Sequence, residues 1–463
     1  MNKTWTYAAL ISCFGMHSIA AKRPNVVVIL TDDQGYQDLG CYGSPLIKTP
    51  NIDKMASEGC RFTSFYAASF ICTPSRIGLL TGRYPQRVGV NIAYFPDDKT
   101  GLPLSEVTMG DMLKKQGYVT GYIGKWHLGH LPEYLPTARG FDSFYGIPYS
   151  NDMGLDPVHT KPAPTILLRE GKTLEDYNRM DPKARWPLPP LMRGTECIEW
   201  PADQDTLTQR YTKEAVSFIK QNREKPFFLF FATAMPHAPL HASKAFRGKS
   251  KGGLYGDAVE EIDWGVGELL NTLKAENLAT NTIVFFTSDN GPALYSGPDN
   301  SGSAGPLRGG KCTTYEGGLR VPGIVWWPGT IPAGIVCDKT VSALDIFPTV
   351  AALSGAVLPG NLIIDGHNIM PLLKGIPGAK SPWEAFYYGF EAVRVGNWKY
   401  RQGPRNSAAY QKSDNTRVFQ LFNLKDDIGE TNNLIDQYPE KVQMLKEKVR
   451  FFGKTYWHPK GQL

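Results

Sequence analysis

The sequence predicts an α/β fold: a large, mainly parallel sheet covered by helices, followed by a smaller antiparallel sheet with one helix. Three observations carry this expectation. Continuous apolar runs such as Val26-Val27-Val28-Ile29-Leu30 lack the alternation of a half-exposed strand, as strands buried on both faces do. Stretches with apolar residues at helical spacing lie between those runs, and strand alternating with helix argues a parallel sheet. Past residue 375 the strand candidates become short and close together, ending in a helix.

The chain has 463 residues, 42% of them hydrophobic, enough for one large core plus a smaller unit. Its net charge of +6 suits a small anionic group or a polyanion. With no basic run and no nucleic-acid module, nucleic acid is not expected as a partner. Residues 1–20 read as a secretory signal. Lys3 opens them, an apolar stretch too short to span a bilayer follows, and Ser18-Ile19-Ala20 supplies a small-x-small cleavage site. No later segment suits a membrane span, so an exported protein is expected, periplasmic or secreted. Cysteines stand at 13, 41, 60, 72, 197, 312 and 337, without a C-x-x-C spacing. A disulfide framework is not expected.

Residues 25–30 form the first strand, which ends in Thr31-Asp32-Asp33-Gln34-Gly35. Ligands of open α/β sheets gather beyond the carboxyl ends of strands. Adjacent aspartates there repel unless a cation or donors lie between them; alone, the pair reads as a solvated turn. Cys72 comes next, at or just before a helix N-terminus, with Pro74 in the first turn. Free N–H groups and the helix dipole favour an anion there. Arg76 lies one turn down on the same face.

Residues 118–123 form a strand leading to Gly124-Lys125-Trp126-His127; in extended chain Lys125 and His127 point the same way. Residues 156–201, rich in proline and charge, read as a long loop near a pocket mouth. Helical spacing follows over 203–220, through Leu207, Tyr211, Ala215 and Phe218. Residues 227–231 form a strand leading to Met235-Pro236-His237-Ala238-Pro239, and a second helical stripe runs from Val259 to Leu273. The strand at 282–286 ends in Thr287-Ser288-Asp289-Asn290-Gly291. With Asp32 and Asp33 this makes three carboxylates and an amide oxygen, hard donors suited to Ca2+ or Mg2+ rather than zinc or copper. The second acidic strand end lifts the metal reading above the turn reading. Lys311 follows two glycines ahead of Tyr315-Glu316-Gly317-Gly318. Taken singly, Lys125, His127, His237 and Lys311 read as structural, and His130, His241 and Cys312 as packing residues beside them. The organisation expected is a signal at 1–20, a catalytic domain at 21–375, and a C-terminal unit at 376–463. That unit has short strands over 385–390, 392–400 and 418–423 and a helix over 438–452.

The stretch Cys72-Thr73-Pro74-Ser75-Arg76 with Leu80-Thr81-Gly82-Arg83 resembles the signature of the type I sulfatases, C-x-P-S-R then L-T-G-R, at every fixed position. The contexts of Lys125, His237 and Lys311 resemble further motifs of that family: G-K-W-H-L-G, P-H-x-P, and G-G-K ahead of E-G-G. Phe144 to Asp152 is similar to the arylsulfatase A and N-acetylgalactosamine-6-sulfatase branch, with Ser150 on a serine of those active sites. Val395 to Tyr400 and Leu421 to Leu424 resemble the sulfatase C-terminal subdomain.

The resemblance implies the alkaline-phosphatase-like fold. It implies that a formylglycine-generating maturation enzyme oxidises Cys72 to an aldehyde whose hydrate attacks sulfur. A cation, Ca2+ or alternatively Mg2+, would be held by Asp32, Asp33, Asp289, Asn290 and residue 72. Lys125, His237, Lys311 and Ser150 would hold substrate. His237 would protonate the leaving alcohol, His127 would act as base, and Arg76 would stabilise the diol. The implied activity is hydrolysis of sulfate esters on a sulfated oligo- or polysaccharide. A galactan such as carrageenan is favoured by export and by the galactose-type branch. Glycosaminoglycan or aryl sulfates come next. A formylglycine-dependent phosphodiesterase or phosphonate hydrolase is the competing enzyme class, against which the G-K-W-H-L-G motif weighs. A non-catalytic sulfate-sugar binder is disfavoured because every expected catalytic position is filled.

Overall fold

A computed structural model of the chain describes residues 23–184, 186–404 and 417–456. The signal expected at 1–20 lies outside them. Asn25–Thr31, Val119–Gly124, Phe227–Ala232 and Thr282–Ser288 are strands, close to the bounds the sequence predicts. They lie side by side in parallel, Thr282–Ser288 next to Asn25–Thr31, then Phe227–Ala232, then Val119–Gly124. Ser143–Gly146 adds a fifth parallel strand, and flanking strands of mixed direction extend the sheet to eleven.

Every residue of Asn25–Thr31 is buried because both faces of the sheet are covered. Alternate residues of a strand face opposite sides. Val26, Val28 and Leu30 accordingly join a core with Ile77 and Leu80 of the Cys72–Thr81 helix. Val27 and Ile29 join another with Ile262 and Val266 of the Gly253–Ala275 helix. The helix predicted over 203–220 is Gln204–Gln221. The six described cysteines are all free. No described helix is long and apolar enough to cross a membrane.

The loop expected over 156–201 is a correction. Lys161–Leu168, Leu191–Arg193 and Glu196–Trp200 are strands that extend the main sheet to its edge, and Leu174–Asn178 is a short helix. Lys161–Leu168 is the outermost strand and is largely exposed, so its apolar residues are confined to Ile166-Leu167-Leu168 at one end and Ala163 between prolines. An edge strand also tolerates its two prolines, Pro162 and Pro164, which a central strand would not.

The C-terminal unit is a four-stranded antiparallel sheet, Phe386–Tyr388, Ala392–Val395, Trp398–Pro404 and Arg417–Asn423, with the Pro439–Tyr456 helix. The single strand predicted over 392–400 is two, because Gly396 turns the chain at φ 58°. Buried charges tie this unit to the main body. Lys399 Nζ lies 3.0 Å from Glu316 Oε1 and 2.9 Å from Glu430 Oε1. Glu430 also accepts the Glu316 backbone N–H at 2.6 Å.

Candidate active site

Strand register brings the two acidic ends together. Thr31 pairs with Ser288, so Asp32 and Asp289 leave the sheet side by side. The Asp289 N–H donates to Thr31 O at 3.1 Å, and the Asp33 N–H to Asp289 Oδ1 at 3.2 Å. Asp33 adopts φ 61°, a left-handed conformation uncommon outside glycine, held here by these contacts. Asn290 Nδ2 donates to Asp33 Oδ1 at 2.7 Å.

Three cationic side chains meet these carboxylates. Lys125 Nζ lies 2.5 Å from Asp32 Oδ2 and donates to Ser150 Oγ at 3.0 Å. Lys311 Nζ lies 2.8 Å from Asp33 Oδ2. Arg76, on the Cys72–Thr81 helix, pairs with Asp289 and donates to Lys125 O at 2.8 Å. Burial opposes charge on Asp32, but Lys125, His237 and Arg76 outweigh it and hold its carboxyl well below the usual range. Asp289 moves the other way, raised by burial and by the Asp32 charge beyond what Arg76 and Lys125 recover.

The two histidines differ. His237 Nε2 stands 3.6 Å from Asp33 Oδ2 and remains partly accessible. His127 is buried, with Nε2 2.9 Å from Tyr94 O. A carbonyl only accepts, so Nε2 carries the proton and Nδ1 the lone pair. Burial, with the Lys125 and Arg76 charges, pushes His127 well below its ordinary pKa. The expectation that Lys125 and His127 point the same way in extended chain is also corrected. His127 has φ 63°, so the chain is not extended there, and its N–H donates to Pro148 O at 3.1 Å instead.

Cys72 is the first residue of its helix. It lines a cavity of about 200 Å³ with Asp33, His127, Ser150, His237 and Lys311. A cavity of about 850 Å³ lies elsewhere, between Trp383 and the C-terminal helix. The cationic and carboxylate cluster sits at the smaller one, which is therefore the candidate site. The residues expected to act on substrate or hold a cation lie in this cavity or directly behind it. His130 and His241 do not; they pair with Asp156 at 2.9 Å and Asp205 at 2.7 Å. Cys312 packs beside Cys72.

Asp32, Asp33 and Asp289 each offer an oxygen within 4.8 Å of the others. Buried Asp32 Oδ1 and Asn290 Oδ1 lack hydrogen-bond partners among the described residues. Three buried carboxylates and a free amide oxygen fit a hard divalent cation. The sequence reading missed Asp152 and Tyr295, which also line the cavity. Asp152 stands two residues after Ser150, a spacing that could have marked it; Tyr295 carries no such signal.

Known proteins resemble this chain along most of its length. The family model described as Sulfatase matches residues 24–356, and that described as N-sulphoglucosamine sulphohydrolase, C-terminal, matches 310–452. Human N-acetylgalactosamine-6-sulfatase is 39% identical over 444 residues, covering 89% of this chain and 81% of the relative. Bovine arylsulfatase A is 38% identical, covering 96% and 90%. The crystal structure of Ps i-CgsB in complex with k-i-k-neocarrahexaose superposes with a TM-score of 0.77 at 30% identity, covering 95% of this chain and 94% of that one. Both family models and both sets of relatives agree with the chemistry of the cavity, and the chain belongs to the sulfatase family, whose reaction is the hydrolysis of sulfate esters.

Proposed function

We propose that the protein removes sulfate from a sulfated galactan of the carrageenan type, with an oxidised residue 72 as nucleophile. The observation that carries this reading is the cavity in which Cys72 faces Lys311, His127 and His237 beside the acidic cluster. The substrate rests on the likeness to Ps i-CgsB, which was crystallised with neocarrahexaose.

Unmodified Cys72 is a poor nucleophile. Burial pushes its thiol up beyond what Lys125 and Lys311 offset, and the thiol, unlike the thiolate, does not attack. Conversion to formylglycine, followed by addition of water to its aldehyde, would supply a geminal-diol hydroxyl as nucleophile there. A Ca2+ or Mg2+ ion on Asp32, Asp33, Asp289 and Asn290 would offset negative charge on the sulfate.

The chain's own residues do the rest. Lys125 and Lys311 supply two buried ammonium groups for sulfate oxygens, and Ser150 fixes Lys125. His237, at the accessible end, donates a proton to the departing sugar oxygen. His127, neutral and with a free Nδ1, accepts a proton from residue 72 during sulfate release. Arg76 holds Asp289 and the Lys125 backbone in place. Export through residues 1–20 belongs to the same reading and is tested by an N-terminus that begins at Ala21.

A second reading, glycosaminoglycan desulfation, is favoured by the N-acetylgalactosamine-6-sulfatase relatives. Purified protein incubated with carrageenans and with chondroitin sulfates, following released sulfate, separates the two. Release from carrageenan supports the first reading. Release from chondroitin sulfate alone replaces it with the second. Faster hydrolysis of an aryl phosphodiester than of an aryl sulfate contradicts both.

A further inference from the structure

Asp152 lines the cavity beside His237 and Cys72, yet no step above uses it. A carboxylate in a pocket built for an anion needs a reason, since one facing sulfate oxygens would weaken their binding. Its placement supplies one. Ser150, two residues earlier, contacts Lys125 on the sulfate-holding side. Asn151 Nδ2 donates to His237 O at 3.2 Å and Pro239 O at 2.9 Å, pinning the segment to the one that carries His237. Asp152 shares the cavity wall with His237, whose charge acts on its carboxyl more strongly than that of Lys125.

Its ionisation state fits that place. Burial raises its carboxyl, but the charges of His237 and Lys125 and a hydrogen bond with Ser150 outweigh burial, so the group is charged at neutral pH. Its Oδ1 is buried and has no hydrogen-bond partner among the described residues. A charged, buried oxygen without a donor is costly unless a ligand supplies one. A pyranose offers that donor as a hydroxyl close to the ester oxygen that His237 serves.

Resting on the sugar-sulfate reading, we propose that Asp152 Oδ1 accepts the ring hydroxyl nearest the sulfate ester and selects sugars in which that hydroxyl is free. Inside a 3-linked galactan the oxygen next to a 4-sulfate is tied into the glycosidic bond. Asp152 therefore favours the non-reducing end of such a chain, where that hydroxyl is free.

The test uses the matured enzyme with methyl galactoside and N-acetylgalactosaminide sulfates and their deoxy counterparts lacking that hydroxyl. The readout is the ratio of kcat/KM between hydroxylated and deoxy substrate. A hydrogen bond to a charged group predicts a ratio of about 10 to 100 for wild type. Asp152→Ala collapses the ratio to about 1, and Asp152→Asn, which keeps a neutral acceptor, gives an intermediate value. If Asp152 acted only by tuning His237, the variants would slow both substrates equally and the ratio would stand. That result, in Ala or in Asn should Ala not fold, overturns the assignment and leaves the sulfate-ester reading intact. Wild type that desulfates neither sugar series overturns the sugar reading and the assignment with it.

Discussion

Arg76 and Asp289, 213 residues apart, form a buried ion pair in which Nε and Nη2 lie 2.9 and 2.8 Å from Oδ2. The same guanidinium donates to Lys125 O, so one side chain braces the Cys72–Thr81 helix, an acidic strand end and the turn that carries Lys125. Arg76→Met leaves Asp289 buried without its partner. It should cost about 3–5 kcal/mol in urea denaturation and abolish sulfate release. Arg76→Lys should not restore activity, because an ammonium cannot reproduce the planar fork.

Cation removal should separate binding from folding. Asp32, Asp33 and Asp289 repel one another without an ion between them. A chelator should stop turnover and lower the melting temperature, and added Ca2+ should reverse both. At 100 times its dissociation constant the ion should contribute about 2.7 kcal/mol of stability. A melting temperature indifferent to chelator and Ca2+ would argue against a cation at this cluster.

The C-terminal sheet should matter to chemistry it does not perform. Lys399 neutralises Glu316 and Glu430 at the base of the loop that carries Lys311. Thr314, in that loop, accepts from Arg401 Nε at 2.9 Å. Lys399→Met leaves two buried carboxylates facing each other and should cost about 3–5 kcal/mol. Steady-state kinetics on the folded fraction should show a lower kcat as Lys311 loses its support. Unchanged kcat would confine Lys399 to stability.

Asp263 gives a pH signature away from the cavity. Its carboxylate accepts the Asn51 and Ile52 N–H groups at 3.2 and 2.8 Å. Burial still raises its pKa to about 6, more than these hydrogen bonds lower it. A raised carboxyl contributes stability that is full below its unfolded value of 3.8 and is lost as pH climbs through about 6. The stability gap between wild type and Asp263→Asn should therefore widen in favour of wild type from pH 7 to pH 4, by about 2 kcal/mol. A gap independent of pH would contradict the raised value.

Legibility in the sequence followed locality. Asp32 and Asp289 could be paired in advance because each ends a continuous apolar strand, and buried parallel strands present their carboxyl ends on one edge. The Cys72 helix was readable from Pro74 and the apolar run behind it. Lys161–Leu168 was not, because an edge strand with prolines has neither an apolar run along its length nor clean alternation. The contacts of Lys399 with Glu316 and Glu430 leave no local trace, since such pairs are made only by the tertiary fold. Tyr295 leaves no trace either, because a lone aromatic residue on a loop has no pattern to mark it, whereas Asp152 is marked only by its spacing from Ser150.

The most direct test is sulfate release by Cys72→Ala, prepared in the same host as active wild type. The change removes only the sulfur atom of a side chain that lines the cavity, so circular dichroism should be unchanged and the urea midpoint little altered while turnover falls by about 10³-fold or more. Sulfate release within about tenfold of wild type would show that another group attacks the sulfur, and would contradict the account.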